Sequence, residues 1–259
     1  GYTADSVSSM STWGYATSIA MLIVALAAPF LGVFGDIRGM RKKLFSFFML
    51  LGVAACAGMA FTPGMDFTSG PVAAGKVASL ILVLYIVSVI GFDASAIYYD
   101  AFLTDVTTED RMDKVSTMGY GLGYIGGSTI PLLIFLIMNL VGVPMLTCLA
   151  FVFGLTAVWW LAFSLPLLKN CEQTSGKPYE KGDVARSIRG VGTTIKEIIA
   201  NKPMLIYILS YFFYIDGVHT VISMATTYGT NLGLDSTGMM LALLLVQILG
   251  LPFCLLYMK

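Results

Sequence analysis

Gly32-Val33-Phe34-Gly35-Asp36-Ile37-Arg38-Gly39-Met40-Arg41-Lys42-Lys43 sets one acid and four bases between two long apolar stretches. Such a charged knot is too costly to leave in hydrocarbon, and basic residues in a short loop hold that loop on the inner face of a bilayer. Working outward from it, stretches long enough to cross about 30 Å of hydrocarbon cover residues 12–34, 44–61, 77–103, 117–139, 144–165, 203–228 and 237–258. They must be helical, because an unpaired backbone amide or carbonyl in lipid is too costly, and they are too long and evenly apolar for barrel strands. The expected fold is an all-α integral membrane bundle with seven transmembrane helices.

Composition agrees with the loop. Hydrophobic residues make up 57% of the 259 and charged residues only 12%, with a mean hydropathy of +0.84. A soluble domain holds roughly 45 to 50% apolar residues, so the chain belongs in a membrane. The 15 basic and 15 acidic residues cancel and are confined to a few loops, which argues against a nucleic-acid-binding face. Cys56, Cys148, Cys171 and Cys254 form no CxxC pair and read as packing residues. The first apolar segment follows a polar leader without a basic start, so it reads as a retained span rather than a signal peptide.

The basic residues also test the topology. Fourteen of the fifteen fall in loops on the same side as the 32–43 loop, and Lys76 alone falls opposite. The expectation is an amino end outside and a carboxyl end inside. The long inner loop then separates three parts: residues 1–166 with five spans, a linker over 167–202, and residues 203–259 with two spans. The first part of the linker, with Gly176, Pro178 and Gly182, reads as a flexible connector. In its second part Val184, Ile188, Val191, Ile195 and Ile198 recur at helical spacing, with Arg186, Arg189 and Lys196 elsewhere on the wheel. That pattern predicts an amphipathic helix, either on the inner membrane surface or packed under the inner ends of the spans.

Ala28-Pro29-Phe30 near the inner end of the first span is echoed by Leu251-Pro252-Phe253 near the inner end of the last. Repeated halves are common in transporter folds. The shift places Lys259 where Asp36 lies, and Gly1 is not an initiator methionine, so the sequence reads as part of a longer repeat-built chain.

The 32–43 run resembles the loop that joins the second and third helices of the major facilitator superfamily. Gly32, Asp36, Gly39, Arg41 and Lys42 match its pattern; Ile37 stands where a basic residue is usual, and Met40 replaces another. Within that superfamily, Gly91-Phe92-Asp93, Tyr98-Tyr99-Asp100-Ala101-Phe102-Leu103, Gly123-Tyr124-Ile125-Gly126-Gly127 and Tyr214-Ile215-Asp216-Gly217-Val218-His219-Thr220-Val221 are similar to the branch of vacuolar amino-acid effluxers of autophagy and their bacterial relatives. The resemblance implies helices two to eight of a twelve-helix transporter in a bacterial cytoplasmic membrane. It would put an amide at Asp100 and a glutamine at His219. In the loop, glycines would allow tight turning, and Asp36 would cap the next helix or pair with a base.

Ionisable groups inside spans are candidates for function because leaving them unpaired costs several kcal/mol. Asp93 and Asp100 lie seven residues apart, on one helical face, beside an aromatic stripe of Tyr85, Phe92 and Tyr99. They form either a cavity wall for a polar or cationic group, or a buried hydrogen-bonded acid and an interfacial one. Asp216, Thr220, Ser223 and Thr227 follow helical steps along one stripe, with His219 beside Asp216 at a spacing that would allow a hydrogen bond. This polar seam suggests either proton coupling or a satisfied helix contact. Gly119, Gly121, Gly123, Gly126 and Gly127 suit close helix packing, with Pro131 beyond them, and Gln247 is either a cavity ligand or a packing residue.

The leading expectation is a secondary transporter of a small polar solute such as an amino acid, with protons as a possible second partner and no cofactor. No GxxxxGK[ST] loop for ATP is present, nor an HExxH or GxSxG motif for an intramembrane enzyme, nor a metal-ligand cluster. A seven-helix receptor fits the bare topology, although the last span has no internal lysine for a retinal Schiff base.

Overall fold

The computed structural model describes residues 6–65, 69–176, 178 and 183–257. Residues 1–5, Lys177, Lys181, Gly182, Met258 and Lys259 lie outside the described residues, as do the side chains of Val184 and Arg186. Among the described residues the secondary structure is helical: α1 (Ser6–Gly35), α2 (Arg41–Phe61), α3 (Pro71–Ala101), α4 (Leu103–Val106), α5 (Met112–Gly123), α6 (Ile130–Leu140), α7 (Met145–Asn170), α8 (Asp183–Ala200), α9 (Lys202–Asn231) and α10 (Ser236–Tyr257). Seven stretches are long and apolar enough to cross a membrane: Ser11–Gly35, Arg41–Gly64, Val72–Val106, Glu109–Leu140, Met145–Asn170, Lys202–Asn231 and Thr237–Tyr257. These are the seven expected spans. Large apolar side chains such as Leu22, Phe47, Val83, Val158 and Phe163 are exposed along them, as lipid-facing residues must be.

The fourth span is not a single α-helix. Between α5 and α6 the backbone widens into six residues of π-helix, Tyr124–Thr129, and the Thr129 hydroxyl donates to the Tyr124 carbonyl five residues back at 2.7 Å. Pro131 in the first turn of α6 explains the placement: its ring clashes with the carbonyl of Gly127, and it has no N–H to donate. A wider turn immediately upstream removes that conflict.

Two compact units divide the chain: Gly1–Pro178 with Leu244–Lys259, and Tyr179–Leu243. In the first, α2 lies between α3 and α7. Phe45, Met49, Val53, Cys56 and Met59 occupy one face of α2 at helical spacing and are buried with Tyr98 of α3 and Ala157 of α7. Association in lipid gains little from hydrophobicity, so close backbone approach has to carry it. Gly52 and Gly91 provide that approach: a Cβ on Gly91 would stand 2.6 Å from the Gly52 Cα and 2.8 Å from the Phe48 carbonyl. Tyr98 ties α3 to α1 by donating to the Leu31 carbonyl at 3.0 Å.

In the second unit α8 packs against α9. Its bounds enclose the amphipathic helix that the Ile188, Val191, Ile195 and Ile198 spacing predicts. Asn201 caps α9, its side chain accepting from the Met204 amide at 3.3 Å, with Pro203 in the first turn. The turn out of α9 uses Gly233 at φ +74°, with the Leu234 amide donating to the Gly229 carbonyl at 3.0 Å. Asp235 then accepts from the Gly238 amide at 2.8 Å and caps α10.

Candidate functional site

The charged loop is the natural start. α1 ends at Gly35, the chain turns through Gly39 at φ +79°, and α2 begins at Arg41. That turn aims Arg41 inward, where it is 5% exposed. Its guanidinium donates to the Ala101 carbonyl at 2.9 Å, to the Ser175 hydroxyl at 3.1 Å and to the Asp105 carboxylate, and it stands 5.7 Å from the centre of the Phe102 ring. Asp36, expected to pair or cap, is 3.9 Å from Arg41 and its side chain is 82% exposed, so water screens most of that attraction. Lys42 is half-buried, and Gly32 lies within α1 with open space around its Cβ position. Gly39 is the matched glycine that the turn requires.

Asp105 completes this clasp. Its side chain is fully buried, and its Oδ1 accepts from the Thr174 amide and hydroxyl (3.1 and 2.9 Å) and from the Ser175 amide and hydroxyl (2.9 and 2.7 Å). Gln173 holds the other side. Its carbonyl oxygen accepts from the Gly39 and Arg41 amides at 2.8 and 3.2 Å, and its amide nitrogen donates to the Gly35 carbonyl at 3.0 Å. Gly176 passes close to the loop at φ +112°, where a Cβ would stand 2.7 Å from the Asp36 carbonyl oxygen. The segment after α7 reads in sequence as a free connector. Over residues 171–176 it is instead strapped to the charged loop and to the end of α3.

Sequence reasoning missed Asp105, Gln173, Thr174 and Ser175. Asp105 lies two residues beyond the expected end of its span, among other loop acids, and its buried position follows from α4 turning it back toward Arg41. The one local signal was a run of side-chain donors and acceptors, Gln173-Thr174-Ser175, ending in a glycine.

Beside the clasp the same unit holds a half-open cavity of about 990 Å³. α3 contributes Phe92, Ala96, Tyr99 and Asp100 at helical spacing; α5 contributes Ser116, Gly119, Tyr120 and Gly123; Tyr124, Asn170 and Gln247 come from the π-segment, α7 and α10. Gly119 and Gly123 leave room that side chains would fill, and the Tyr99 hydroxyl lies 4.0 Å from the position of a Gly119 Cβ. The tight approach of α5 to α10 is made by Gly121, whose Cβ position lies 3.1 Å from Leu251 and 3.2 Å from Cys254. Gly250 admits the Tyr124 ring at 2.7 Å from its own Cβ position. Gly123, Gly126 and Gly127 have open space at that position, and the Gly126 carbonyl accepts from the Trp159 indole at 2.6 Å.

The candidate residues thus separate. Asp100 and Gln247 share the cavity. Asp93 is half-buried, is engaged by an interaction of its own, and is not among the cavity lining. The aromatic stripe splits likewise: Phe92 and Tyr99 line the cavity, whereas Tyr85 stacks on Trp13 at 4.0 Å and lies 3.3 Å from the Thr17 hydroxyl. Asp216, His219 and Thr220 lie exposed on α9 in the second unit. Among the described residues neither the Asp216 nor the His219 side chain has a hydrogen bond or ion pair, and the Ser223 hydroxyl is turned to the His219 carbonyl at 2.7 Å. No group of three or more His, Cys, Asp or Glu residues that could hold a metal occurs among the described residues.

Comparison with known proteins adds the family. The model described as "Vacuole effluxer Atg22 like" matches residues 3–257. The chain is 39% identical over 252 residues to the uncharacterized MFS-type transporter YxiO of Bacillus subtilis, covering 95% of this chain and 56% of that protein. It is 25% identical over 148 residues to autophagy-related protein 22-1 of Penicillium rubens, covering 53% of this chain and 25% of that protein. The corresponding protein of Sclerotinia sclerotiorum is 25% identical over 131 residues, 44% of this chain and 22% of that one. The chain therefore spans about half the length of its bacterial relative and less of the fungal ones. No solved structure matches it significantly. Matched from residue 3 to residue 257, the chain belongs to the Atg22-like vacuole effluxer family, and its seven apolar helices make it a multi-pass integral membrane protein.

Proposed function

We propose that the protein is a secondary active transporter that moves a small polar solute, such as an amino acid, across a bacterial cytoplasmic membrane by alternating access. The observation that carries this reading is the cavity of about 990 Å³, at the upper end of ordinary ligand-pocket volumes, whose mostly apolar wall holds the Asp100 carboxylate and the Gln247 amide. Polar groups at such a place are costly unless they serve a ligand or water path. In this reading Asp100 and Gln247 bind the solute, while Arg41, Asp105 and residues 173–175 hold the inner ends of α2, α3 and α7 together in one conformation and release them in the other.

Proton coupling belongs in this reading to Asp216 and His219 of α9, an acid and an imidazole one helical turn apart without partners among the described residues. The topology proposed places the amino end outside and the carboxyl end, the 32–43 loop and the linker inside, on the one-sided distribution of basic residues. The unit of 203–259 would begin a second half related to residues 1–166, as repeat-built transporters require.

The test is solute flux in proteoliposomes carrying the full-length protein, with labelled amino acids and an imposed pH gradient. Gradient-driven flux is expected, and Asp216→Asn should uncouple it from the gradient. Gradient-driven flux unchanged in that variant removes the coupling assignment; flux unchanged in Asp100→Asn removes the cavity assignment.

A further inference from the structure

The linker helix α8 carries an apolar face that the rest of the described structure leaves open. At about 100° per residue Ile188, Ile195 and Ile199 fall within about 40° of one another, and they are 39%, 50% and 59% exposed. Val191 and Ile198, on one flank of that stripe, are partly buried, and α8 meets α9 within the same unit. Arg189 and Lys196 lie along the other flank and are exposed, with Glu197 on the opposite side of the helix. Among the described residues neither base has an ion pair or a hydrogen bond.

The place of α8 in the chain favours one cover for this face. α9 is long and apolar enough to cross a membrane, and its 30 residues rise about 45 Å, the thickness of a bilayer with its headgroup layers. The ends of α9 therefore lie at headgroup level. α8 stops one residue before it, and Asn201 between them has φ −90° and ψ 89°, outside the helical range. That residue turns α8 off the axis of α9 instead of prolonging it. An 18-residue helix too polar to cross the membrane thus starts at the lipid interface.

Three isoleucines along one line are unfavourable in water. At the boundary of headgroups and acyl chains they are buried, and the long basic side chains beside them reach the phosphates. A protein surface would also cover the isoleucines, but two unpaired bases along the edge, next to a span, match an anionic headgroup layer. We propose that α8 is an interfacial helix, with Ile188, Ile195 and Ile199 in the acyl boundary and Arg189 and Lys196 on anionic phospholipid headgroups. The assignment is independent of what the cavity binds.

Nitroxide labels test it in the full-length protein with its native cysteines replaced by serine. Ile195→Cys and Ile199→Cys place a label on the stripe, each giving the reading independently if the other misfolds, and Glu197→Cys places one opposite. Contact with oxygen, which concentrates in lipid, is compared with contact with a water-soluble nickel complex. In nanodiscs of phosphatidylcholine and phosphatidylglycerol in equal parts, the oxygen-to-nickel ratio is expected to be several-fold higher at 195 and 199 than at 197. Omitting phosphatidylglycerol, or combining Arg189→Gln with Lys196→Gln in the mixed lipid, should lower the ratio at 195 several-fold. If 195 and 199 meet nickel as freely as 197, α8 lies in water and the proposal is overturned. Shielding of both from oxygen and nickel alike overturns it too, because the remainder of the protein or a second copy then covers the face. A ratio that is high but indifferent to lipid charge and to the double variant overturns the headgroup assignment.

Discussion

Asp100 and Asp105 lie five residues apart where α3 gives way to α4, yet the fold treats them as opposites. Asp105 has a fully buried side chain, accepts four hydrogen bonds from Thr174 and Ser175, and faces the Arg41 guanidinium. Asp100 opens onto a cavity without a partner among the described residues. A carboxylate whose lone pairs are all taken fixes structure, and one whose lone pairs are free can bind something else. Five residues at about 100° each put the two acids on different faces of the chain, Asp105 toward Arg41 and Asp100 toward the cavity.

The contrast can be broken at several points. Asp105→Ala has the largest expected effect, because it leaves a buried arginine without its counter-charge and four donors without an acceptor; the loss should be about 3 kcal/mol. Thermal unfolding of the purified protein would show it as a clear fall in midpoint, and Arg41→Met in the same chain should recover part of it. A midpoint unchanged in Asp105→Ala would make the clasp energetically irrelevant. Next comes Gln173→Ala, which removes three hydrogen bonds at the loop's partly exposed side and should cost about 1 to 2 kcal/mol. Limited proteolysis should cut residues 171–176 faster in this variant, and equal rates would contradict the strap.

Asp100→Asn should move stability by no more than about 0.5 kcal/mol, while reducing solute flux in proteoliposomes of the full-length protein. A stability loss comparable to that of Asp105→Ala would place Asp100 on the structural side of the comparison. The smallest effect on stability is expected for Asp216→Asn on α9, whose exposed side chain has no partner to lose among the described residues. The same unfolding measurement should show no shift, so any change in flux must come from transport itself.

The seven spans were legible because an apolar run in lipid has one backbone solution, and the charged loop was legible because its position between two such runs is a local property. The π-segment before Pro131 was not legible, since proline specifies that the preceding turn must yield but not how. The clasp was not legible. Gln173 and Ser175 are more than 130 residues from Gly39 and Arg41, and local composition cannot pair residues so far apart. Nor could spacing separate the acids: Asp93 and Asp100 occupy the same helical face, yet Asp100 lines the cavity and Asp93 does not.

The amino-acid sequence by itself determined that the chain holds seven helices long and apolar enough to cross a membrane, their approximate positions, and which loop carries the family's charge pattern. Those properties depend on hydrophobicity and backbone hydrogen bonding within single segments. The tertiary structure alone decided which arginine, acid and connector close the clasp and which acid stays open to the cavity. Both depend on close approach of helices distant in sequence, set by the glycines at which α2, α3, α5 and α10 meet.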